Sequence, residues 1–299
     1  MVSWGKGLAI TLRPIVSMVT IPWTLGLAVF AASMYGTFGD DIWSSGEYWT
    51  TLLLVVLASW LGVTAGYALN DHFDHAVDLA NPVRMDKAAN HGTSKRDLLV
   101  YAAVLGIPSL LIWLYLSPLA LLVAIVQLLS ILVYSGWAKA NTPYSNLFVV
   151  LPTALMPVTV FFVYTSELTM EAILLASVNG VFEPGFTWAG VCRDVKADGK
   201  LGVRSLPILR GVPAVARMVL VMWIGVAVLT VVTWYYTDLG LVFLIGAMFA
   251  AIWLIANGIA FVKDPTPEVG GSTFLKATLW FWVFSISLIL DTAFNIQVL

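Results

Sequence analysis

The stretch Asn70-Asp71-His72-Phe73-Asp74-His75-Ala76-Val77-Asp78 follows directly on an apolar run from Leu52 to Leu69, and this junction decides how the chain is read. A helix that continues through it places Asn70, Asp74 and Asp78 at i, i+4 and i+8 on one face, with Asp71 one step around. Three like charges at this spacing repel, and no cation stands among them. Close carboxylates either raise one another's pKa or hold a divalent cation that cancels the repulsion. An all-oxygen set of this kind suits Mg²⁺, which keeps several waters and is completed by substrate phosphates. Acidic runs are often solvated loops. In a chain with only 11% charged residues, acids gathered at the end of an apolar run read instead as functional.

Working outward, 60% of the 299 residues are hydrophobic, thirteen are Trp and the mean hydropathy is +0.91. A soluble domain carries about 25% charged residues. The chain therefore reads as an all-α polytopic membrane protein, one membrane-embedded domain over residues 1–299, with no nucleic-acid partner expected. Spanning helices need about 20 apolar residues. Nine segments qualify: Pro14–Tyr35, Trp49–Leu69, Leu98–Leu116, Pro118–Trp137, Asn146–Tyr164, Met170–Gly190, Val212–Tyr236, Leu239–Val262 and Thr273–Phe294. The cap loops between them are expected at about 71–97 and 191–211. No cleavable signal peptide is expected, because Met1 to Gly7 holds only Lys6 and no small-residue cleavage site follows. The single cysteine, Cys192, excludes an intrachain disulfide and reads as a packing residue.

Charge placement tests that segmentation. All fifteen Lys and Arg fall on one side of a nine-helix arrangement: Lys6 and Arg13 before the first helix; Arg84, Lys87, Lys95 and Arg96 after the second; Lys139 after the fourth; Arg193, Lys196, Lys200, Arg204, Arg210 and Arg217 around the sixth-to-seventh connection; Lys263 and Lys276 around the eighth-to-ninth. The opposite ends carry Asp40, Asp41, Glu47, Glu167, Glu171, Asp238 and Asp291 and no base. This asymmetry predicts a cytoplasmic N-terminus and a C-terminus on the other side.

A second acidic motif closes the sixth segment, Cys192-Arg193-Asp194-Val195-Lys196-Ala197-Asp198, with Asp194 and Asp198 again i, i+4. Both motifs end at the same membrane face. Two aspartate-rich walls there can hold Mg²⁺ and, through it, a diphosphate. Lys87, Lys139, Arg193 and Arg204 supply cations for the remaining phosphate oxygens.

With these residues quoted, the chain resembles the UbiA superfamily of intramembrane prenyltransferases. Its marks are N-D-x-x-D-x-x-x-D after the second of nine helices and D-x-x-x-D after the sixth, complete here as Asn70-Asp71…Asp74…Asp78 and Asp194…Asp198. Arg13-Pro14, Tyr134-Ser135…Lys139 with Asn146, and Gly202-Val203-Arg204-Ser205-Leu206-Pro207 are smaller echoes. The loop after the first motif departs from the family's Arg-Pro-Leu-x-x-Gly, reading Lys87-Ala88-Ala89-Asn90-His91-Gly92, so a bidentate guanidinium is replaced by a point charge. The resemblance implies a nine-helix bundle and Mg²⁺-dependent transfer of an isoprenyl group from an isoprenyl diphosphate to a lipophilic acceptor, releasing diphosphate. Asn70, Asp71, Asp74, Asp78, Asp194 and Asp198 would be the metal-binding set, with membrane lipid around a hydrocarbon tunnel. An intramembrane terpene cyclase, acting on the same diphosphate without an acceptor, is the rival within the superfamily. A transporter is the rival outside it, disfavoured because the acids gather at one face and no inverted repeat is visible.

Glu183 lies inside the sixth segment before Pro184, where a charge is costly and functional by default. Eleven residues from Asp194, it shares that residue's face about 16 Å deeper. It reads as a catalytic or substrate-contacting carboxyl, with a protonated group bonded to carbonyls freed by Pro184 as the plainer alternative. His72, His75 and His91 read as loop histidines rather than ligands. Trp280-Phe281-Trp282 can line a cation pocket, while most tryptophans are expected at the lipid or its interface.

Overall fold

The computed structural model describes residues 2–37, 44–80, 87–200 and 204–296, without the side chains of 2–4, 15, 16, 197, 198, 295 and 296. Asp40, Asp41, Arg84, Gly202, Val203 and the side chain of Asp198 therefore lie outside the described residues. Every described element is helical. In chain order they are α1 (Val2–Thr11), α2 (Pro14–Ser17), α3 (Thr20–Tyr35), α4 (Gly46–Leu79), α5 (Lys95–Leu116), α6 (Pro118–Val133), α7 (Lys139–Asn141), α8 (Leu147–Ala154) and α9 (Met156–Tyr164). They continue as α10 (Met170–Lys200), α11 (Leu206–Arg210), α12 (Val212–Tyr236), α13 (Leu241–Lys263) and α14 (Pro267–Ile296). A 3-10 turn, Ala88–His91, precedes α5, and a π-helical turn, Tyr134–Ala138, joins α6 to α7.

Seven of the nine expected spans are long and apolar enough to cross a membrane among the described residues. The first differs because the chain breaks at Met18–Val19, leaving α3 only 16 residues long. The sixth differs because α10 carries Glu171, Asn179 and Glu183 within its first 14 residues, which lowers its mean hydropathy. Helices also run past the expected loop boundaries at 71 and 191. Nothing breaks α4 before Leu79 or α10 before Lys200, so both motifs sit on helix and not in loops. A short helix, α1, precedes the first expected span and packs on the 3-10 turn. There the approach is close enough that a Cβ on Gly7 would stand 2.0 Å from the Thr93 hydroxyl, which would have to move.

The expected tight hairpins have local causes. Ser117 caps α6 by accepting from the Ala120 amide at 3.3 Å, and Pro118 supplies a pre-set first turn. At the start of α13, Asp291 accepts from the Gly240 and Phe243 amides at 2.7 and 3.0 Å. This acid, expected among the loop charges, is 2% exposed and is satisfied by otherwise unbonded amides.

The long helices form a closed ring in the order α4, α5, α6, α8/α9, α10, α12, α13, α14, α3 and back to α4. The end at which α4 and α10 begin is pinned by Tyr35 donating to Glu171 at 2.7 Å and by Phe30 and Tyr35 against Phe161. Here α3 and α9 pack across the ring and close it. Toward the end carrying both motifs, α4 and α10 do not pack along one another, and α10 lies against α14 at Gly270 and Gly271. Trp280 is fully buried and stacks on Phe182 at 4.2 Å, with Trp23, Phe281 and Phe284 around it. This part of the Trp280-Phe281-Trp282 stretch is packed core, and Trp282 points outward at 42% exposure.

Candidate functional site at the end of α4

The carboxylates of the first motif are buried, with Asp71, Asp74 and Asp78 at 2%, 6% and 8% exposure. Their helix supplies no cation, so the neutralising charges come from elsewhere in the chain. Arg13 donates to Asp71 at 2.7 Å, Lys87 to Asp71 at 3.0 Å while standing 3.4 Å from Asp78, and Lys139 binds Asp74. Pairing of this kind makes burial of three acids on one face tolerable.

Each cation is positioned by a local device. Arg13, between α1 and α2, is the only non-glycine residue with positive φ among the described residues (φ 45°, ψ 60°). An αL residue with a side chain costs about 1–2 kcal/mol, and the ion pair with Asp71 helps to hold it there. The guanidinium also lies over the Tyr67 ring, 4.6 Å from its centroid. Lys87 is presented by a loop tied to α4 at three points: Asn90 donates to the Asp78 carbonyl, and His75 and His72 bond the Thr93 and Lys95 carbonyls at 2.9 and 2.7 Å. Gly92, at φ 76°, makes the turn that ends this loop. His72 and His75 thus stand on α4 and not in a loop as expected, and they tie the following loop to the helix.

Ser135 comes from the π-helical turn and Lys139 follows it at the start of α7, and the wider turn sets the direction of both. Ser135 accepts from Asn70 at 3.3 Å, and Asn70 in turn accepts from Arg13 at 3.5 Å.

Two atoms in this cluster are left over. Asp71 Oδ2 and Asp78 Oδ2 are buried without a hydrogen bond, and of the two only Asp78 Oδ2 has a cation near it, Lys87 at 3.4 Å. Orphaned carboxylate oxygens carry a desolvation penalty that a hard cation would remove. Among the described residues no three acids converge closely enough to hold an ion by themselves. A cation here would complete its shell with waters and phosphate oxygens, as Mg²⁺ does.

The second motif is placed differently. Asp194 is half-buried at the end of α10 and pairs with its own neighbour Arg193 at 3.2 Å, whose stem lies against Gly271. Arg204 is exposed just before α11. Deeper along α10, Glu183 is 4% exposed, and its backbone carbonyl accepts from Thr187 at 3.0 Å. Tyr67 stands one turn below Asp71 on α4, under the Arg13 guanidinium. Sequence reasoning missed Arg13 and Tyr67 as parts of the site. The Arg13-Pro14 echo was the available signal for the first, and the i−4 position from Asp71 for the second.

Fold and site define an integral membrane protein, a ring of apolar helices with a charged, oxygen-rich centre at one end. The chain belongs to the UbiA prenyltransferase family, whose pattern it matches over residues 27–284. It is 24% identical over 235 residues to a protoheme IX farnesyltransferase of Thioalkalivibrio sulfidiphilus, covering 76% of each chain. It is 26% identical over 215 residues to a digeranylgeranylglyceryl phosphate synthase of Korarchaeum cryptofilum, covering 71% of this chain and 75% of that one. Among solved structures it is similar to a UbiA homologue from Aeropyrum pernix K1 (TM-score 0.73, 17% identity, 92% and 97% covered). It is also similar to one from Archaeoglobus fulgidus bound to GPP and Mg²⁺ (TM-score 0.58, 16% identity, 95% and 99% covered).

Proposed function

We propose that this protein is a Mg²⁺-dependent prenyltransferase that crosses the membrane nine times and moves an isoprenyl group from its diphosphate to a lipophilic acceptor. The observation that carries this reading is the first motif itself. Three buried carboxylates on one α4 face are met by cations from three other segments, and Asp71 Oδ2 is left buried without a hydrogen bond. Membership of a prenyltransferase family and the GPP and Mg²⁺ in a structural neighbour support it. Both motifs would face the cytoplasm, with the C-terminus outside, as the one-sided Lys and Arg require.

In this reading Asn70, Asp71, Asp74 and Asp78, with Asp194 and Asp198, would hold the metal. Bound Mg²⁺ supplies neutralising charge to the diphosphate as its bond to the allylic carbon breaks. Lys87, Lys139, Arg193 and Arg204 grip phosphate oxygens, and Arg13 keeps Asp71 charged and oriented. The electron pair of the broken carbon–oxygen bond leaves with the diphosphate. The prenyl carbon then bonds to a nucleophilic atom of the acceptor, which gives up a proton. Glu183, a buried carboxyl deeper along α10, is in this reading the group that contacts the acceptor or takes that proton. The apolar ring keeps water from the allylic cation.

The test is purified protein with Mg²⁺ and a panel of isoprenyl diphosphates, with and without acceptors. The relatives make farnesyl diphosphate with protoheme IX a first pair. A prenylated acceptor with stoichiometric diphosphate release is the expected result. A cyclic hydrocarbon formed without any acceptor would replace the transferase reading by the cyclase one.

A further inference from the structure

A cavity lies away from the aspartates. About 460 Å³ in volume, it is lined by Tyr144, Leu206, Arg210, Arg217, Met218 and Met222 among others. Such a volume falls in the range that takes a small molecule or one lipid chain. Its position follows from the helix order. Arg210 ends α11, Arg217 stands five residues into α12, and Tyr144 precedes α8, so the cavity opens at the end of the bundle that bears both motifs.

The lining divides into a charged rim and an apolar wall. Arg210 and Arg217 are both exposed, and neither pairs with an acid among the described residues. Arg217 lies about 7.5 Å along α12 from its start, within reach of the interface for an extended side chain. Below it, Met218 and Met222 are one turn apart on the same face, and Val221 beside them is 60% exposed. Two unpaired guanidiniums above an apolar slot match an amphiphile with an anionic head. Basic pockets between helices at this depth hold lipid phosphates.

We propose that this cavity binds an anionic phospholipid of the adjoining leaflet, its phosphate between Arg210 and Arg217 and one acyl chain along Met218 and Met222. The prenyl diphosphate is not its occupant, since the aspartates that suit a metal-bound diphosphate line another part of the bundle. Tyr144 places an aromatic ring at the headgroup level, where such side chains concentrate.

The test uses the full chain in detergent, titrated with phosphatidylglycerol, phosphatidylcholine or inorganic phosphate, and read by native mass spectrometry and by the thermal unfolding midpoint. Phosphatidylglycerol is expected to bind and raise the midpoint, while the other two leave it in place. The R210Q/R217Q double variant should bind phosphatidylglycerol roughly thirty-fold more weakly, about tenfold or less for each charge. Met218→Trp keeps both charges but fills the slot, and should also weaken binding. Lipid-free midpoints equal to the parent's show that both variants fold. Undiminished phosphatidylglycerol binding in either variant overturns the proposal. So does equal stabilisation by phosphatidylcholine, which would mean an apolar slot only, or by inorganic phosphate, which would mean a simple anion site.

Discussion

Among the three buried aspartates of the first motif, Asp74 is the one whose removal disturbs the fold least, because its partner Lys139 is 32% exposed and can be solvated. Asp74→Asn keeps the shape and removes the charge. It should lower kcat/KM by about a hundredfold or more, the usual effect of deleting one preorganised charge contact. Far-ultraviolet circular dichroism should be unchanged, and a parent-like rate in Asp74→Asn would remove this residue from the site. Glu183 is the other informative side chain. Glu183→Gln conserves volume inside a packed helix and deletes the ionisable group. If Glu183 handles the acceptor, turnover falls while the affinity for the isoprenyl diphosphate stays the same. Unaltered turnover and product profile would leave it a structural carboxyl beside Pro184. At this scale the sequence pointed to Asp71, Asp74 and Asp78, which are buried together on α4, and did not point to Arg13 as their partner. The acids announce themselves by spacing. A lone arginine at the start of a membrane helix looks the same whether it marks topology or grips a carboxylate 58 residues away.

Among the elements, the helix-to-helix approaches are set by small residues. Gly246 on α13 faces Ser287 on α14 so closely that a Cβ would stand 1.9 Å from the Ser287 hydroxyl and 2.8 Å from its Cβ. Without a hydrophobic force between helices in lipid, close packing of this kind supplies much of their attraction. Gly246→Ala should therefore destabilise the protein by about 1–3 kcal/mol, the cost of overpacking, measured as a lower midpoint of thermal unfolding. Adding Ser287→Gly should restore most of the loss, and a double variant no better than the single would refute the contact. Helix ends at Leu116-Ser117-Pro118 were legible because Ser and Pro cap and start helices by local chemistry. The extension of α4 and α10 through both motifs was not, because boundaries depend on which neighbours stabilise the last turns. The π-helical turn at Tyr134–Ala138 was also invisible, since it reflects how Ser135 and Lys139 meet α4.

For the whole molecule, the ring and the charge asymmetry make a topological claim that can be measured. The only cysteine, Cys192, is fully buried, so single cysteines added elsewhere can be labelled without background. A cysteine at exposed Lys95 should react with an impermeant maleimide only after the inner face is opened, whereas one at Glu167 should react in intact cells. Labelling of both from the same side would sink the nine-crossing arrangement, and the shared face of the two motifs with it.

Composition, the length of the apolar runs and the one-sided cations determined that this chain lies in a membrane as a helical bundle. The spacing of the aspartates determined where its chemistry would be sought. These follow from the solvent the chain must satisfy and from the helix period, both of which act locally. The partners of the aspartates, the direction of Lys139, the burial of Asp291 and the cavity beside Arg217 were decided only by tertiary structure. Each depends on segments distant in sequence arriving at one point, and no local pattern encodes that meeting.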